Sequence, residues 1–181
     1  MFSIKNGAAK MMLAVLALMV SGTVMAECKF ESTKAGNAPL NIKITDADTP
    51  EAKEFLTTCV NPYTKRFVAD PELAKQGKKK FALYSCTQCH GGDGQGQTGP
   101  ALIDDLWQYS KHVTDKGMFE TISGGSDLGM PTWHQQVAGN PDLPSTDEIL
   151  KIIGWIRASF KGKDPSKPWL NDKPCDGCKY P

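Results

Sequence analysis

The chain has 181 residues, with 21 lysines and arginines against 20 aspartates and glutamates, so its formal charge at pH 7 is +1. This balance disfavours a nucleic-acid-binding protein, which needs a strongly basic surface. A chain of about 150 residues, the length left after removal of a leader, suffices for one domain with a sizeable core.

The first 26 residues predict an export signal. Lys5 and Lys10 give a positively charged start, residues 11–20 form a short apolar run, and Val24-Met25-Ala26 is a small-residue cleavage site. The apolar run is too short to span a bilayer. We therefore expect cleavage after Ala26, an exported mature protein and no membrane span.

Residues 27–69 form the predicted N-terminal extension. The alternation of apolar and polar side chains over residues 40–44 is typical of a short strand. Thr49 and Pro50 predict a helix start, with Thr49 as the N-cap. This helix is expected to end before Asn61-Pro62, because a residue preceding proline is pushed out of helical geometry.

Residues 70–161 form the predicted main domain, which begins with a helix at Asp70-Pro71. Apolar or small residues recur at helical spacing and predict one buried stripe: Ala74, Gly77, Phe81 and Tyr84. A glycine in mid-helix costs about 1 kcal/mol of helix propensity relative to alanine. We therefore expect a second helix to cross closely at Gly77.

The helix runs into Cys86-Thr87-Gln88-Cys89-His90, the attachment signature of a c-type haem. Cys86 and Cys89 can each add to one vinyl group of the porphyrin, and His90 is then the proximal iron ligand. A zinc site would need two more ligands at matching spacing, and a thioredoxin-like dithiol would need a βαβ context. Neither is found, so the motif predicts one covalent haem c.

A glycine-rich loop, residues 91–100, follows the motif. Its glycines let the backbone turn tightly and pass close to a flat ligand. It is not a phosphate loop, because no Gly-Lys-Ser/Thr follows and no strand precedes it. We expect the carbonyl of Pro100 to accept the free N–H of His90 and to fix the orientation of the imidazole.

Two further helices are predicted in this domain. Thr114 caps the first, over residues 115–123, and Ser145 and Glu148 have the spacing of a capping box at the start of the last. The last helix contains Trp155, which we expect to fill the notch left by the mid-helix glycine of the first.

The loop between these helices contains the candidate sixth iron ligands. Met130 is followed by a proline, which stiffens the loop that must hold a weak thioether ligand. Trp133 is a candidate haem contact, and His134 is the alternative sixth ligand. Met118 is better explained as a core residue and His112 as a surface residue. Met/His ligation would raise the reduction potential, whereas bis-His ligation would lower it.

Four cysteines lie outside the motif: Cys28, Cys59, Cys175 and Cys178. In an exported protein they predict two disulfides, with three possible pairings. Cys175 and Cys178 are spaced as a Cys-x-x-Cys pair, but Lys179 follows where haem attachment needs a histidine. We expect them to constrain the C-terminal tail, residues 162–181, by disulfide bonding.

The order of elements resembles that of a class I cytochrome c: a helix, the haem motif, a glycine loop, a helix, a Met-Pro loop and a closing helix with a tryptophan. Within that class the chain resembles the cytochrome c-L family over about residues 59–161. The most specific runs are Asp105-Leu106-Trp107-Gln108-Tyr109, Thr114-Asp115-Lys116-Gly117-Met118-Phe119-Glu120-Thr121-Ile122 and Gly154-Trp155-Ile156-Arg157. The resemblance implies an all-α class I cytochrome c fold with N- and C-terminal extensions.

The resemblance also implies a periplasmic electron-transfer protein rather than an enzyme. Cytochromes c-L accept electrons from a PQQ-dependent methanol dehydrogenase, and this carrier would pass them singly to a smaller cytochrome c. The family takes its sixth ligand from the Met-containing loop, which here means Met130. Some members hold calcium near a haem propionate, but its ligands cannot be mapped on this chain. Residues 85–96 look closer to cytochromes that serve lanthanide-dependent dehydrogenases.

Two other functions fit the same haem motif. The chain could serve a different periplasmic dehydrogenase or an oxidase, or it could be a haem-based sensor of small ligands. A sensor needs a vacant or labile sixth position, which Met130 argues against. A di-haem peroxidase would need a second Cys-x-x-Cys-His motif, which the sequence does not contain.

Overall fold

The structure, a computed structural model, describes residues 28–162. They form seven α-helices and one 3₁₀ turn: α1 (Pro50–Thr58), α2 (Pro62–Ala69), α3 (Pro71–Leu83), α4 (Thr87–His90), the 3₁₀ turn (Ser110–Val113), α5 (Asp115–Gly124), α6 (Gln135–Ala138) and α7 (Thr146–Ala158). No strand forms within this range, as the predicted all-α class requires, and none of its helices is long and apolar enough to cross a membrane. The predicted signal peptide and the C-terminal cysteine pair lie outside the described residues.

The prediction of a strand over residues 40–44 is wrong. An isolated β-bridge joins Glu31 to Pro39 without extending into a ladder. Leu40 and Ile42 are partly buried against the core, which explains the apolar alternation. The backbone next to them pairs with the side chain of Gln136 instead of with a second strand.

The predicted starts of α1, α3, α5 and α7 are confirmed by their caps. The side chains of Thr49, Asp70 and Thr114 accept hydrogen bonds from backbone N–H groups in the first turns of α1, α3 and α5. Ser145 and Glu148 form the complete capping box at the start of α7. These interactions are local, so the sequence predicts them directly.

Helix α2 is missing from the predictions. Helix α1 ends at Thr58, before Asn61 as expected, with Cys59 in the left-handed conformation, and Asn61 and Pro62 then begin a new helix. The side-chain oxygen of Asn61 accepts a hydrogen bond from the N–H of Tyr63 at 3.0 Å, and its Nδ2 donates to the carbonyl of Leu150 at 3.0 Å. The same amide therefore caps α2 and attaches it to α7.

Helices α3 and α7 cross closely at Gly77, as predicted. A Cβ atom at Gly77 would overlap the carbonyl oxygen of Lys151 and would lie 2.6 Å from Cβ of Trp155. The Trp155 ring packs against Phe81 with the ring centroids 4.8 Å apart. This contact fills the notch and joins the helix that precedes the haem motif to the last helix.

A buried ion pair joins α5 to α7. Nε of Arg157 donates to the Asp115 carboxylate at 2.8 Å, and Nη2 donates to the carbonyl oxygen of His112 at 2.8 Å. The hydroxyl of Thr64 in α2 donates to the same carboxylate. Because removal of one partner would leave a buried charge uncompensated, the pair makes these three helices depend on one another.

The N-terminal extension is anchored by a disulfide between Cys28 and Cys59, one of the pairings that the sequence leaves open. Next to it, the ring of Phe30 stacks on Phe55 and also contacts Phe119, with centroid distances of 5.4 and 5.1 Å. The start of the extension is therefore part of the core and contacts both α1 and α5.

Candidate haem site

A cavity of about 350 Å³ lies between α3, α4, α5, α7 and the loops around them. Apolar and aromatic side chains line much of it, among them Phe81, Leu102, Trp107, Met118, Trp133 and Ile152. A concave site of this size and lining is typical of ligand-binding pockets in proteins.

The single turn α4 presents the Cys-x-x-Cys-His motif to this cavity. Cys86, Cys89 and His90 all line it, and neither thiol is in a disulfide. Burial raises the pKa of the Cys86 thiol to about 11, so this thiol is protonated at neutral pH, whereas Cys89 is exposed. Because residues three apart on a helix share one side, both thiols can reach the same ligand.

The glycine loop fixes the orientation of His90. Nδ1 of His90 lies 2.8 Å from the carbonyl oxygen of Pro100, the partner expected from the sequence. Because a carbonyl can only accept, Nδ1 carries a proton, and in the neutral ring the lone pair is then on Nε2. Gly99 leaves room for the ring, since a Cβ there would lie 3.1 Å from Cε1 of His90. A neutral imidazole with a free Nε2 is suited to bind iron.

Met130 ends a tight turn that follows α5. The N–H of Ser126 donates to the carbonyl of Met130 at 2.9 Å, and Gly129 adopts a φ of +100°. Gly125 approaches the same carbonyl so closely that a Cβ there would lie 2.5 Å from the oxygen. Met130 is half-buried and lines the cavity, so the turn brings a thioether to the cavity that also contains the imidazole.

Two other predicted residues also line the cavity. Trp133 lies on its wall. The backbone N–H of Trp133 donates to the carbonyl of Ile122 at 3.1 Å, which ties the loop after Met130 to α5. Met118 is 5% exposed, as expected for a core residue, but it reaches the cavity as well. The cavity therefore has two methionines on its walls.

His134, the alternative sixth ligand, does not line the cavity. It is fully buried, its Nε2 lies 2.9 Å from the hydroxyl of Thr146, and its Nδ1 accepts a hydrogen bond from the N–H of Gln136 at 3.1 Å. Both ring nitrogens are therefore engaged away from the cavity. This arrangement favours Met130 over His134.

The prediction that His112 is a surface residue is wrong. It is half-buried and lines the cavity, and its Nε2 lies 2.7 Å from the hydroxyl of Thr121. Burial, together with the neighbouring cations Arg157 and Lys111, lowers the pKa of His112 to about 3. His112 is therefore a neutral polar group on the cavity wall at physiological pH.

The buried histidines make the fold sensitive to acid. Burial lowers the pKa of His134 to about 4 from the ordinary value of 6.5. Between these values the unfolded chain binds more protons, so the free energy of unfolding is expected to fall as the pH decreases. Each such histidine contributes a slope of about 1.4 kcal/mol per pH unit.

Denaturant unfolding at several pH values between 4 and 6.5, values that bracket the shift of His134, checks this slope. In the His134→Gln variant, the number of protons taken up on unfolding is expected to be about one smaller than in the wild type. The same slope in both proteins would show that His134 titrates normally in the folded state.

These residues fit a covalently attached haem. Two free thiols and an imidazole with an available Nε2 lie on one helical turn, a thioether comes from a separate loop, and much of the wall is apolar. The expectation of calcium lacks comparable support, because residues 28–162 contain no group of three or more histidine, cysteine or carboxylate side chains that could hold a metal ion.

Residues 72–155 match a family model described as cytochrome c oxidase, cbb3-type, subunit III. The chain is 40% identical over 126 residues to cytochrome c-L of Methylorubrum extorquens strain AM1, an alignment that covers 70% of this chain. It spans 58% of the length of that curated relative.

Two solved structures are similar along most of the chain. The cytochrome CL of the marine methylotroph Methylophaga aminisulfidivorans is 30% identical, with a TM-score of 0.63, and the match covers 84% of this chain and 100% of that one. The cytochrome cL of Hyphomicrobium denitrificans is 34% identical, also with a TM-score of 0.63, and the match covers 83% of this chain and 88% of that one.

Proposed function

The chain is a member of the cytochrome c-L family, and from this premise we propose that it is a periplasmic electron carrier with one covalently bound haem c. The similarity to helical cytochrome cL structures confirms the predicted fold class. The observation that carries the functional proposal is one cavity lined by Cys86, Cys89, His90 and Met130, with the His90 ring oriented by Pro100.

Each of these side chains has a distinct role in the proposal. A bound haem supplies the one-electron chemistry of its iron. Cys86 and Cys89 would hold the group covalently, which would prevent its loss outside the cytoplasm. His90 and Met130 would ligate its iron, and a thioether ligand would favour the ferrous state and so raise the reduction potential. The apolar walls keep water away and support the same effect.

The proposed donor is a PQQ-dependent methanol dehydrogenase, and the proposed acceptor is a smaller cytochrome c. A single haem stores one electron, so a two-electron quinol must be oxidised in two separate encounters. Such encounters are small and short-lived, because tight binding would block turnover. No step in this scheme requires the protein to make or break a covalent bond of the substrate.

Two exposed leucines mark the proposed docking face. Leu106 and Leu128 line the cavity and are 46% and 71% exposed. Large apolar side chains at a cavity mouth favour contact with a partner protein. This surface is where we expect electrons to enter and leave.

The partner assignment is tested by mixing the ferric protein with a purified PQQ-dependent methanol dehydrogenase and methanol. We expect the ferric visible spectrum to convert to the ferrous one at a rate that rises with the concentration of the dehydrogenase. If there is no reduction by this enzyme but rapid reduction by another periplasmic dehydrogenase, the donor would have to be reassigned.

Leu128→Asp is expected to slow this reduction roughly tenfold, because a charge at the centre of an apolar contact must be desolvated. Leu83→Asp is the matched control, since Leu83 is 65% exposed but lies outside the cavity lining. Stopped-flow absorbance measures both rates. Equal rates for the two variants would place the docking face elsewhere.

A further inference from the structure

The N-terminal extension contains a segment, residues 28–43, that contacts α5, the turn before Met130 and α6; we call it the strap. We propose that the strap positions the loop between α5 and α6, residues 125–134, which we call the Met130 loop. Asp127 is the positioning residue that joins this loop to the strap. The proposal rests on Met130 as the sixth iron ligand. It assigns a role to a segment in which the sequence analysis finds no catalytic or ligand-binding motif.

The strap is fixed at its start. The disulfide between Cys28 and Cys59 joins it to the end of α1, and the N–H of Cys28 donates to the carbonyl of Leu56 at 2.9 Å. The Phe30 ring is 4% exposed and packs on both α1 and α5. This end therefore cannot move without opening the core.

The middle of the strap binds the chain just before Met130. The N–H of Ala35 donates to Oδ2 of Asp127 at 2.6 Å. Asp127 lies within the turn that the Ser126–Met130 hydrogen bond closes. Nearby, the hydroxyls of Thr33 and Thr121 lie 2.6 Å apart in a buried contact with α5.

The end of the strap binds α6, the first helix after Met130. The N–H of Lys43 donates to Oε1 of Gln136, and Nε2 of Gln136 donates back to the carbonyl of Lys43, both at 2.9 Å. Between the two attachments, Leu40 packs on Gly124 so closely that a Cβ on the glycine would lie 3.0 Å from Cδ2 of the leucine. The Met130 loop is therefore tied to the strap on both sides.

This arrangement matters because a thioether is a weak, neutral ligand. Its rate of departure depends on how often its loop opens, and opening is limited by the contacts that must break. A movement of the loop that carries Met130 away from the cavity would strain the contacts of Asp127 and Gln136 with the strap, in addition to the bond that ties Trp133 to α5. The strap is therefore expected to lengthen the lifetime of sixth-ligand coordination.

The structure offers two ways to remove the same hydrogen bond. Asp127→Ala deletes the acceptor. Ala35→Pro deletes the donor and suits the backbone, because Ala35 is the second residue of a turn closed by Asn37 N–H and Lys34 C=O at 3.1 Å, with Gly36 at a φ of +90°. Proline is common at the second position of such type II turns.

The experiment measures displacement of the sixth ligand in the ferric holoprotein by saturating imidazole, followed by stopped-flow absorbance. We expect Asp127→Ala and Ala35→Pro each to accelerate displacement about fivefold, as the loss of one hydrogen bond would. The double variant is expected to be no faster than either single variant, because both remove the same contact. Asp127→Asn retains an acceptor oxygen and is expected to restore a rate close to that of the wild type.

Asp142→Ala is the matched control, since Asp142 is exposed and makes no side-chain hydrogen bond within the described part of the chain. A role in general stability alone would lower the free energy of unfolding and leave the displacement rate unchanged, which would overturn the proposal. A wild-type protein without the far-red sulfur-to-iron absorption would also overturn it, by removing Met130 as the ligand. Normal far-red absorption together with equal displacement rates in all variants would refute the proposed role of the strap and leave the proposed carrier function intact.

Discussion

The Met130→Leu variant is expected to lack the weak far-red absorption that thioether ligation gives a ferric haem. Leucine has nearly the volume of methionine, so the cavity wall is retained while the sulfur is lost. We also expect the reduction potential to fall by on the order of 0.1 V or more, since axial ligands set haem potentials over about 0.8 V. Visible spectroscopy and redox titration of the purified holoprotein measure the two effects.

Met118→Leu provides the control for this experiment. Met118 and Met130 both line the cavity, and the substitution is the same, so the two variants differ only in which sulfur is removed. We expect Met118→Leu to keep the far-red absorption and to change the reduction potential only slightly. If the absorption disappears in Met118→Leu and survives in Met130→Leu, then the sixth ligand comes from α5.

The Gly77→Ala variant is expected to be destabilised by about 2 kcal/mol or more, or to fail to accumulate as holoprotein. Two effects of opposite sign compete at this position. Helix propensity favours alanine by about 1 kcal/mol. Against it, the new Cβ would overlap the carbonyl of Lys151, which is backbone and can yield only if α3 and α7 separate. Overpacking of this kind costs about 1–3 kcal/mol and more where backbone must move.

Denaturant unfolding of the holoprotein measures this loss. Gly92→Ala is the control, because Gly92 is exposed, lies outside the cavity lining, and a Cβ there would meet no atom within 4 Å. We expect this control to unfold close to the wild type. A Gly77→Ala protein that is more stable than the wild type would show that propensity dominates and that the helix crossing is not tight.

The parts of the fold that the sequence predicts well are those set by neighbouring residues. Thr49, Asp70 and Ser145 begin helices because each side chain bonds to the backbone two or three residues ahead. The Asn-Pro pair from which the end of α1 is predicted is also the start of α2. The sequence pattern alone does not distinguish a helix end from a helix end followed at once by a new helix. The alternation over residues 40–44 reflects burial against helices, which periodicity cannot separate from a strand.

The candidate haem site likewise contains residues that the sequence predicts and one that it does not. Cys86, Cys89 and His90 are defined by adjacent residues, and the Pro100 carbonyl is only ten residues from the imidazole that it orients. The position of His112 on the cavity wall depends instead on how the 3₁₀ turn packs against α5. Local sequence contains no signal for that packing.

The contacts of the strap were the least accessible to sequence reasoning. Ala35 and Asp127 are 92 residues apart, and Lys43 and Gln136 are 93 apart. Each contact joins a backbone N–H, which every residue except proline has, to a polar side chain far along the chain. A single sequence has no pattern that marks such a pair.

The proposed carrier function depends on covalent attachment of one haem to Cys86 and Cys89. The most direct test is mass spectrometry of the denatured protein after expression in cells competent in haem maturation. We expect a red protein whose mass exceeds that of the mature chain by one haem, and a Cys86→Ser/Cys89→Ser variant with the mass of the chain alone. A colourless wild-type protein with the mass of the bare chain would show that no haem is attached.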